Sequence, residues 1–272
     1  QEHSSAASDV YKRQTYHIAP HVFQELGAEV ITVGDKPDGI NINQQCGATH
    51  IETLQQEVLK HKADLGIAFD GDGDRVMMVT SEGGVVDGDL ILYILATQGE
   101  VEVPGVVGTV MSNLAVENAL KAKGIQFARS AVGDRYVMEA LVENDWSYGA
   151  EPSGHVLSLN KISTGDGIVA GLQVMSALVR SGKSLQELIA DVEMYPSVLK
   201  NQIVDDAKKI MASSVLSEAI KGVESRLADK GRVLVRASGT EPLIRVMVEG
   251  QDEALVERLA DELIAVVQSE IS

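Results

Sequence analysis

Apolar and polar positions recur along the chain with alternating helix and strand periods. The first helical pattern, in residues 17–28, places four apolar side chains on one face: Ile18, Val22, Phe23 and Leu26. Short apolar runs at 29–34 and 64–69 predict buried strands, and residues 50–63 predict an amphipathic helix between them. This alternation predicts an α/β unit over residues 15–98.

The alternation continues after the loop at residues 99–105 and predicts a second α/β unit over residues 102–195. From Pro196 onward the pattern changes, because paired strands with short turns are combined with longer helices. We expect an α+β unit over residues 196–272. An apolar stripe marks its final helix: Leu255, Leu259, Leu263 and Val266.

Residues 1–14 carry no such pattern. They are polar, do not begin with Met, and lack the hydrophobic stretch of a signal peptide. The letters DVYKRQ at residues 9–14 resemble the translation of an adapter used in sequencing libraries. We therefore expect residues 1–14 to be a non-native tail or, alternatively, a natural disordered one. The first α/β unit then begins on a helix, and we expect its first strand and an upstream domain to be missing.

The charge of the chain bears on its partners. Its 272 residues include 40 acidic and 23 basic ones, for a formal net charge of -17. This balance argues against a nucleic-acid partner, although a local group of arginines can still bind a phosphate. The one cysteine, Cys46, excludes an intrachain disulfide and fits a cytoplasmic protein. No run of 18 apolar residues predicts a membrane span.

Three aspartates at alternate positions, Asp70, Asp72 and Asp74, follow the predicted strand at 64–69. The carboxyl end of such a strand is where α/β sheets usually bind ligands. The intervening glycines allow a tight turn, and three converging carboxylates repel each other unless a cation lies between them. With so few ligands Mg²⁺ fits better than Ca²⁺, although an acidic Asp-Gly hairpin turn explains the same letters.

The stretch GAEPSGH, residues 149–155, has Glu151 and Ser153 two positions apart after a predicted strand. A carboxylate and a hydroxyl on one side suit the hydroxyl groups of a sugar, and His155 adds a further donor. Taken alone, the stretch is explained more simply by a Pro-Ser-Gly turn with a solvated glutamate.

The stretch RASGTEPLIRV, residues 236–246, has a turn between two predicted strands. Hydroxyl and backbone N–H groups in the turn suit an anion, and flanking arginines suit a phosphate. The candidate residues are Arg236, Ser238, Gly239, Thr240 and Arg245. A plain hairpin with surface arginines is the alternative.

Two other stretches open predicted helices with an aspartate. Asp134 is placed to cap a helix, and Arg135 adds positive potential at the N-terminus of that helix. Asp166 likewise predicts a helix cap first and a site residue second. Taken alone, both stretches are explained more simply by a capped helix, and a place in an anion site is the alternative.

In this order, the clusters resemble those of the α-D-phosphohexomutase superfamily. The letters DGDGDR at 70–75 look like its metal loop, GAEPSGH looks like its sugar-binding loop, and RASGTEPLIRV looks like its phosphate-binding loop. Four further stretches look most like the bacterial members that act on glucosamine phosphate: 15–30, 38–43, 132–141 and 164–174. The resemblance implies the second, third and fourth domains of that family, the last similar in fold to the TATA-binding protein.

The resemblance also implies a mechanism. A phosphoserine gives its phosphoryl group to glucosamine 6-phosphate, and the resulting 1,6-bisphosphate returns one to the serine to leave glucosamine 1-phosphate, a precursor of UDP-N-acetylglucosamine and the bacterial cell wall. The three aspartates would bind Mg²⁺. Arg75, Asp134 and Arg135 would form the catalytic set. The glutamate, serine and histidine of GAEPSGH would bind the sugar, and the arginine-flanked turn would bind the phosphate that does not react.

No serine in the chain lies in a motif that matches the family's phosphoserine. We therefore expect the intact protein to be an intramolecular phosphotransferase, and this chain alone to be inactive. Two alternatives stay open: a phosphomannomutase or phosphoglucomutase, and a non-catalytic sugar-phosphate-binding module. We further expect a hexosamine phosphate substrate, a homodimer, a cytoplasmic location, and no nucleic-acid or membrane partner.

Overall fold

Three β-sheets organise the part of the chain that the structure describes. The computed structural model describes residues 5–9, 15–34, 47–48, 50–239 and 241–271. It divides into two compact units, the first formed by residues 1–112 with 116–192 and the second by residues 113–115 with 193–272. All but residues 113–115 and 193–195 of the two predicted α/β regions therefore fall in the first unit, and the predicted α+β region makes up most of the second.

The first sheet has five strands in the order β2-β1-β3-β4-β5. Its strands are β1 (Ser5–Asp9), β2 (Glu29–Val33), β3 (Leu65–Phe69), β4 (Val76–Thr80) and β5 (Val85–Val86), and its helices are α1 (Thr15–Glu25) and α2 (Ile51–His61). Strands β1 to β3 run parallel, and β4 and β5 continue the sheet antiparallel. All five residues of β3 are buried, so the three aspartates follow a strand at the centre of a packed layer.

Strand β1 differs from the prediction for the N-terminal residues. The sequence pattern predicts a tail at 1–14 and a unit without its first strand, whereas Ser5–Asp9 forms a strand that pairs with both β2 and β3. A parallel strand with a neighbour on each side is held by main-chain hydrogen bonds along both edges. Such bonds do not require an apolar period, so the polar residues of this strand carry no signal for it.

Helix α1 forms where predicted, but only part of its buried face is the predicted one. Phe23 is buried as predicted, whereas Ile18 is 56% exposed and Leu26, just after the helix, is 67% exposed. Thr15 and Ala19 are buried beside Phe23. These three lie four residues apart, so the face toward the core is set by small residues around one aromatic ring.

The second sheet has four strands in the order β7-β6-β8-β9. Its strands are β6 (Gly105–Thr109), β7 (Gln126–Ser130), β8 (Tyr148–Ala150) and β9 (Val156–Ser158), and the helices of this region are α3 (Gly88–Gln98), α4 (Leu114–Ala122), α5 (Asp134–Asn144), α6 (Gly167–Ser181) and α7 (Leu185–Ile189). Helix α3 packs mainly against α6 and β8. The sequence pattern assigns this helix to the preceding region, because the order along the chain does not show which layer the helix joins.

The second unit contains a three-stranded antiparallel sheet in the order β10-β12-β11. Its strands are β10 (Ser197–Ile203), β11 (Gly231–Ala237) and β12 (Leu243–Gly250); its helices are α8 (Ala207–Met211), α9 (Ser214–Leu227), a 3₁₀ turn (Ala228–Lys230) and α10 (Glu253–Ser269). Alternate β12 residues pack against α10, where Leu259 and Leu263 are buried as predicted. Leu255 and Val266 are only partly buried, and Val256 and Val267 fill the core beside them.

The predicted fold class, α/β regions followed by α+β, is confirmed. Within the described ranges, none of the helices has both the length and the apolar character needed to cross a bilayer.

Candidate functional site

The acidic loop, residues 70–75 between β3 and β4, is shaped by one of its own aspartates. Asp70 Oδ1 accepts the backbone N–H of Gly73 at 3.0 Å and that of Arg75 at 3.1 Å. Burial, followed by the neighbouring Asp74 carboxylate, raises the pKa of the Asp70 carboxyl, and the N–H group and charge of Arg75 oppose this rise. The loop therefore holds at least two carboxylates close enough to repel each other.

A second segment, the glutamate loop at residues 151–155, is bonded to the acidic loop. The backbone N–H of Val76 donates to the carbonyl of Gly154 at 2.9 Å. His155 Nδ1 lies 3.1 Å from Asp74 Oδ2, and the His155 side chain is buried. Two clusters that the sequence could only place in separate regions thus form one site in the first unit.

A third segment, residues 163–167 at the start of α6, contacts the other two. The N–H of Gly167 donates to the carbonyl of Gly73 at 2.9 Å. Gly165 lies so close to the His155 imidazole that a Cβ there would stand 2.4 Å from ring Cε1. A side chain at position 165 would therefore displace the histidine from Asp74.

Asp166 in this segment caps α6, since it accepts the N–H of Val169 at 3.0 Å, and this confirms its predicted cap. Asp166 also lines a cavity of ≈ 240 Å³, together with Asp72 and Asp74 of the acidic loop and Thr15 of α1. The cavity therefore has a strongly acidic wall, which suits a cation better than a bare anion.

Glu151 is buried, and its carboxylate is held by the start of α5. Its Oε1 accepts the backbone N–H of Gly133 at 2.8 Å. Ser153, two residues on, is exposed. The structure thus places the predicted sugar-binding carboxylate in a fixed position and the predicted hydroxyl at the surface.

Asp134 does not cap α5, so that prediction is wrong. The capping position is Gly133, which has no side chain, and Asp134 Oδ1 accepts the N–H of its neighbour Arg135 at 2.7 Å. The Arg135 side chain is 80% exposed and forms an ion pair with Glu139 at 2.7 Å. Among the described residues, neither side chain has a hydrogen bond to the acidic loop or the glutamate loop.

The guanidinium of Arg75 has an unusual environment. Its Nε is buried and has no hydrogen-bond partner among the described residues. A buried guanidinium N–H without an acceptor is costly, and an anionic group would supply the acceptor. This supports the predicted place of Arg75 beside a phosphate.

The fit of Mg²⁺ rests on donor chemistry. Among the described residues, no three His, Cys, Asp or Glu side chains are arranged so that they could hold a metal ion. The loop nevertheless offers carboxylate oxygens, which Mg²⁺ prefers. Burial first, and the neighbouring Asp74 carboxylate second, raise the pKa of Asp70, and a cation would relieve both costs of the charged form. The residues present therefore fit the ion in chemistry, although the side chains do not converge on one point.

The predicted phosphate turn lies in the second unit. Arg236 and Arg245 are directly opposite each other on β11 and β12, so their side chains share one face of the sheet. Arg245 Nη2 donates to Glu241 at 2.8 Å, whereas its buried Nε has no partner among the described residues. Like charges opposite each other destabilise a sheet, and an anion between them removes that cost.

Ser238 shapes the turn, since its N–H donates to the carbonyl of Leu243 at 2.9 Å and its Oγ accepts the N–H of Glu241 at 3.3 Å. Gly239 is exposed beside it. Thr240 lies outside the described residues, as do Cys46 and the stretch at 38–43.

Three contacts of the site were not predicted from sequence: the pairing of His155 with Asp74, the packing of Gly165 on that histidine, and the bond from Gly133 to Glu151. Each contact joins segments that are remote in sequence. In the sequence, Gly133 and Gly165 are indistinguishable from ordinary loop glycines. The one signal available was that all of these segments follow predicted strands or precede predicted helices.

Two solved structures are similar in fold to this chain. N-acetylphosphoglucosamine mutase from Aspergillus fumigatus, solved with GlcNAc-6P and magnesium, aligns with 97% of this chain and 66% of its own at a TM-score of 0.75 and 22% identity. A phosphoglucomutase/phosphomannomutase family protein from Burkholderia thailandensis aligns with 98% of this chain and 60% of its own at a TM-score of 0.77 and 20% identity. At these identities the likeness concerns the fold.

Family models give the finer assignment. Domains II, III and IV of phosphoglucomutase/phosphomannomutase match residues 14–83, 87–195 and 199–266, in that order. The chain belongs to this family. The models assign α3 to domain III, beside the elements against which it packs.

Two curated relatives carry the name phosphoglucosamine mutase. The phosphoglucosamine mutase of Hydrogenovibrio crunogenus is 58% identical over 262 residues, and that of Methylobacillus flagellatus is 55% identical over 260 residues. These alignments cover 96% and 94% of this chain but only 59% and 57% of the relatives. The chain thus spans somewhat more than half the length of the proteins that it matches.

Proposed function

We propose that the protein to which this chain belongs is a phosphoglucosamine mutase, an isomerase that interconverts glucosamine 6-phosphate and glucosamine 1-phosphate. The observation that carries the proposal is the union of the acidic loop with the glutamate loop through Asp74, His155 and the bond from Val76 to Gly154. A cation-binding segment and a sugar-binding segment in contact suit the transfer of a phosphoryl group on a sugar. The names of the relatives favour glucosamine as that sugar.

The residues have separate roles in this proposal. Glu151 accepts hydrogen bonds from sugar hydroxyls, and Ser153 donates to them. Arg75 donates its otherwise unpaired Nε–H to a phosphate oxygen. In the second unit, Arg236, Arg245 and the turn at 238–240 bind the phosphate that is not reacting. Binding energy from that phosphate serves to position the reacting one.

Asp70, Asp72 and Asp74 are the residues that would hold Mg²⁺. When bound, the ion supplies positive charge to the transferring phosphoryl group. His155 holds the Asp74 carboxylate from the other side. Asp134 and Arg135 remain candidates for the catalytic set, with no contact in the described residues that supports a role. The proposal further includes a cytoplasmic location and a homodimer.

The metal assignment is tested by Mg²⁺ titration calorimetry on the chain and on Asp72→Asn. We expect the variant to bind Mg²⁺ at least about tenfold more weakly, because one charged oxygen ligand is lost. Asp205→Asn, an exposed aspartate in the second unit, is the matched control. Equal affinities for Asp72→Asn and the unaltered chain would reject the site.

The activity is tested on two proteins: this chain alone, and a fusion in which the N-terminal part of the Hydrogenovibrio crunogenus relative precedes Thr15. A coupled assay should show glucosamine 1-phosphate formation by the fusion and none by the chain alone. Faster turnover of mannose phosphate by the fusion would favour a phosphomannomutase. Turnover by the chain alone would reject the alternative hypothesis that the chain is a non-catalytic sugar-phosphate-binding module.

A further inference from the structure

One oxygen of the Glu151 carboxylate is already committed within the protein. Its Oε1 accepts the N–H of Gly133 at 2.8 Å, across 18 residues of sequence, and only 8% of the glutamate is exposed. Among the described residues, the Glu151 side chain makes no other hydrogen bond. A buried carboxylate that is held at one oxygen has a fixed orientation, so its other oxygen accepts from a defined region.

Gly133 can make this contact because of its backbone conformation. Its φ is 129° and its ψ is 135°, a region that L side chains rarely adopt. It occupies the capping position of α5 without a capping side chain, so its N–H is directed away from the helix toward Glu151. The N-terminal end of the α5 dipole also stabilises the negative charge of the glutamate.

We propose that Gly133 is a positioning residue for sugar recognition, which fixes Glu151 at Oε1 so that Oε2 is presented to a sugar hydroxyl. The inference rests on the proposed function, since it assigns a sugar phosphate to the same site. If so, the loop before α5 contributes to substrate selection through the backbone N–H of Gly133. Because Oε2 of Glu151 can only accept, it selects a ligand group that donates a hydrogen bond, such as a hydroxyl.

The first experiment measures glucosamine 6-phosphate binding to the full chain and to Gly133→Ala. An alanine rarely adopts the φ of Gly133, so its N–H should turn away from the Glu151 carboxylate. We therefore expect the variant to bind about tenfold more weakly. Gly124→Ala is the matched control, since Gly124 also has a positive φ of +79° and a Cβ at this position would meet only open space. It strains the backbone without touching the site, so binding should not change. Equal affinity for Gly133→Ala and Gly124→Ala would overturn the proposal.

A double-mutant cycle separates positioning from general damage. Glu151→Ala removes the carboxylate that Gly133 is proposed to position. If Gly133 acts through Glu151, adding Gly133→Ala to Glu151→Ala should cost much less affinity than Gly133→Ala costs alone. Losses that simply multiply would show that the two residues act independently, and would reject the inference.

Amide hydrogen exchange gives a measure that does not require Gly133→Ala to fold. The Gly133 N–H should exchange slowly in the unaltered chain and in Glu151→Gln, and faster in Glu151→Ala. Unchanged exchange in Glu151→Ala would overturn the proposal. Absence of sugar-phosphate binding by both the unaltered chain and the fusion described above would instead reject the proposed function, while the exchange rates would still decide whether Gly133 holds Glu151.

Discussion

The acidic loop of the first unit and the arginine-flanked turn of the second obtain their shapes in different ways. The acidic loop is bonded to two remote segments, through Asp74 to His155 and through Gly73 to Gly167. In the described part of the turn at 238–243, hydrogen bonds within the turn run from Ser238 to Leu243 and from Glu241 to Ser238. One further bond joins the turn to the residue after β10, since the N–H of Val204 donates to the carbonyl of Pro242 at 2.9 Å. The first site is therefore built by contacts between remote loops, and the second mainly by strand register within one sheet.

The difference teaches where each site is vulnerable. A loop that is held by remote segments fails when any of those segments is displaced, because the contacts support each other. A hairpin turn depends on its two strands, so a change within the turn is absorbed locally. The first site should therefore respond strongly to small changes outside its charged residues, and the second should respond mainly to changes in its charge.

The largest expected effect comes from one methyl group placed in each region. Gly165→Ala sets a Cβ 2.4 Å from the buried His155 ring, whereas Gly239→Ala meets nothing within 4 Å. We expect the first to lose roughly 2–3 kcal/mol of unfolding free energy, a typical cost of overpacking, and the second to lose about 0.5 kcal/mol or less. Denaturant unfolding of both variants measures this. Similar losses in the two would remove the distinction between the sites.

The next effect tests the second site through charge. Arg236→Gln removes one of two arginines that lie directly opposite each other. We expect inorganic phosphate to bind about thirtyfold more weakly, equivalent to roughly 2 kcal/mol for hydrogen bonds to a charged group. Stability should not fall, because a repulsion between like charges is relieved.

Arg258→Gln is the matched control for that measurement, since this arginine lies exposed on α10 rather than on the sheet. Its phosphate affinity should equal that of the unaltered chain. If both arginine variants weaken phosphate binding to the same extent, the effect belongs to net charge and not to the turn.

The same difference explains what the sequence could predict. The arginine-flanked turn was predictable because two strands and a turn fix the register, and register alone sets Arg236 opposite Arg245. The family of the acidic loop was predictable from its letters, and so was the fold class. The contact of His155 with Asp74 was not, because it depends on how separate segments meet in space.

The failures of prediction have the same physical origin. Strand β1 is held by main-chain pairing on both edges. Such pairing does not depend on side chains, and the sequence of this strand has no apolar period that would predict it. Asp134 has the residue type of a helix cap, but Gly133 occupies that position and gives its N–H to Glu151. In each case a backbone group found its partner in a remote segment, and side-chain patterns do not report such partners.

The smallest expected effect extends the comparison to ion pairs. In the first unit, Glu117 accepts from Lys121 and pairs with Arg129 Nη2, each at 2.6 Å, and only 13% of the glutamate side chain is exposed. In the second unit, Glu262 pairs with Arg226 where both side chains are 44% exposed. Since water screens the exposed pair, Glu117→Gln should lose more stability than Glu262→Gln.

The pH dependence of Glu117→Gln sharpens this expectation. Burial alone would raise the pKa of Glu117, but the hydrogen bonds and charges of Lys121 and Arg129 outweigh it and lower the pKa. A lowered pKa means that the carboxylate stabilises the fold above its unfolded value of about 4.3, and that this contribution is lost as the pH falls through the folded value. The deficit of Glu117→Gln, about 1.5 kcal/mol at pH 7, should therefore shrink as the pH falls below about 4. A deficit that stays constant across that range in denaturant unfolding would show that packing, and not charge, holds Glu117 in place.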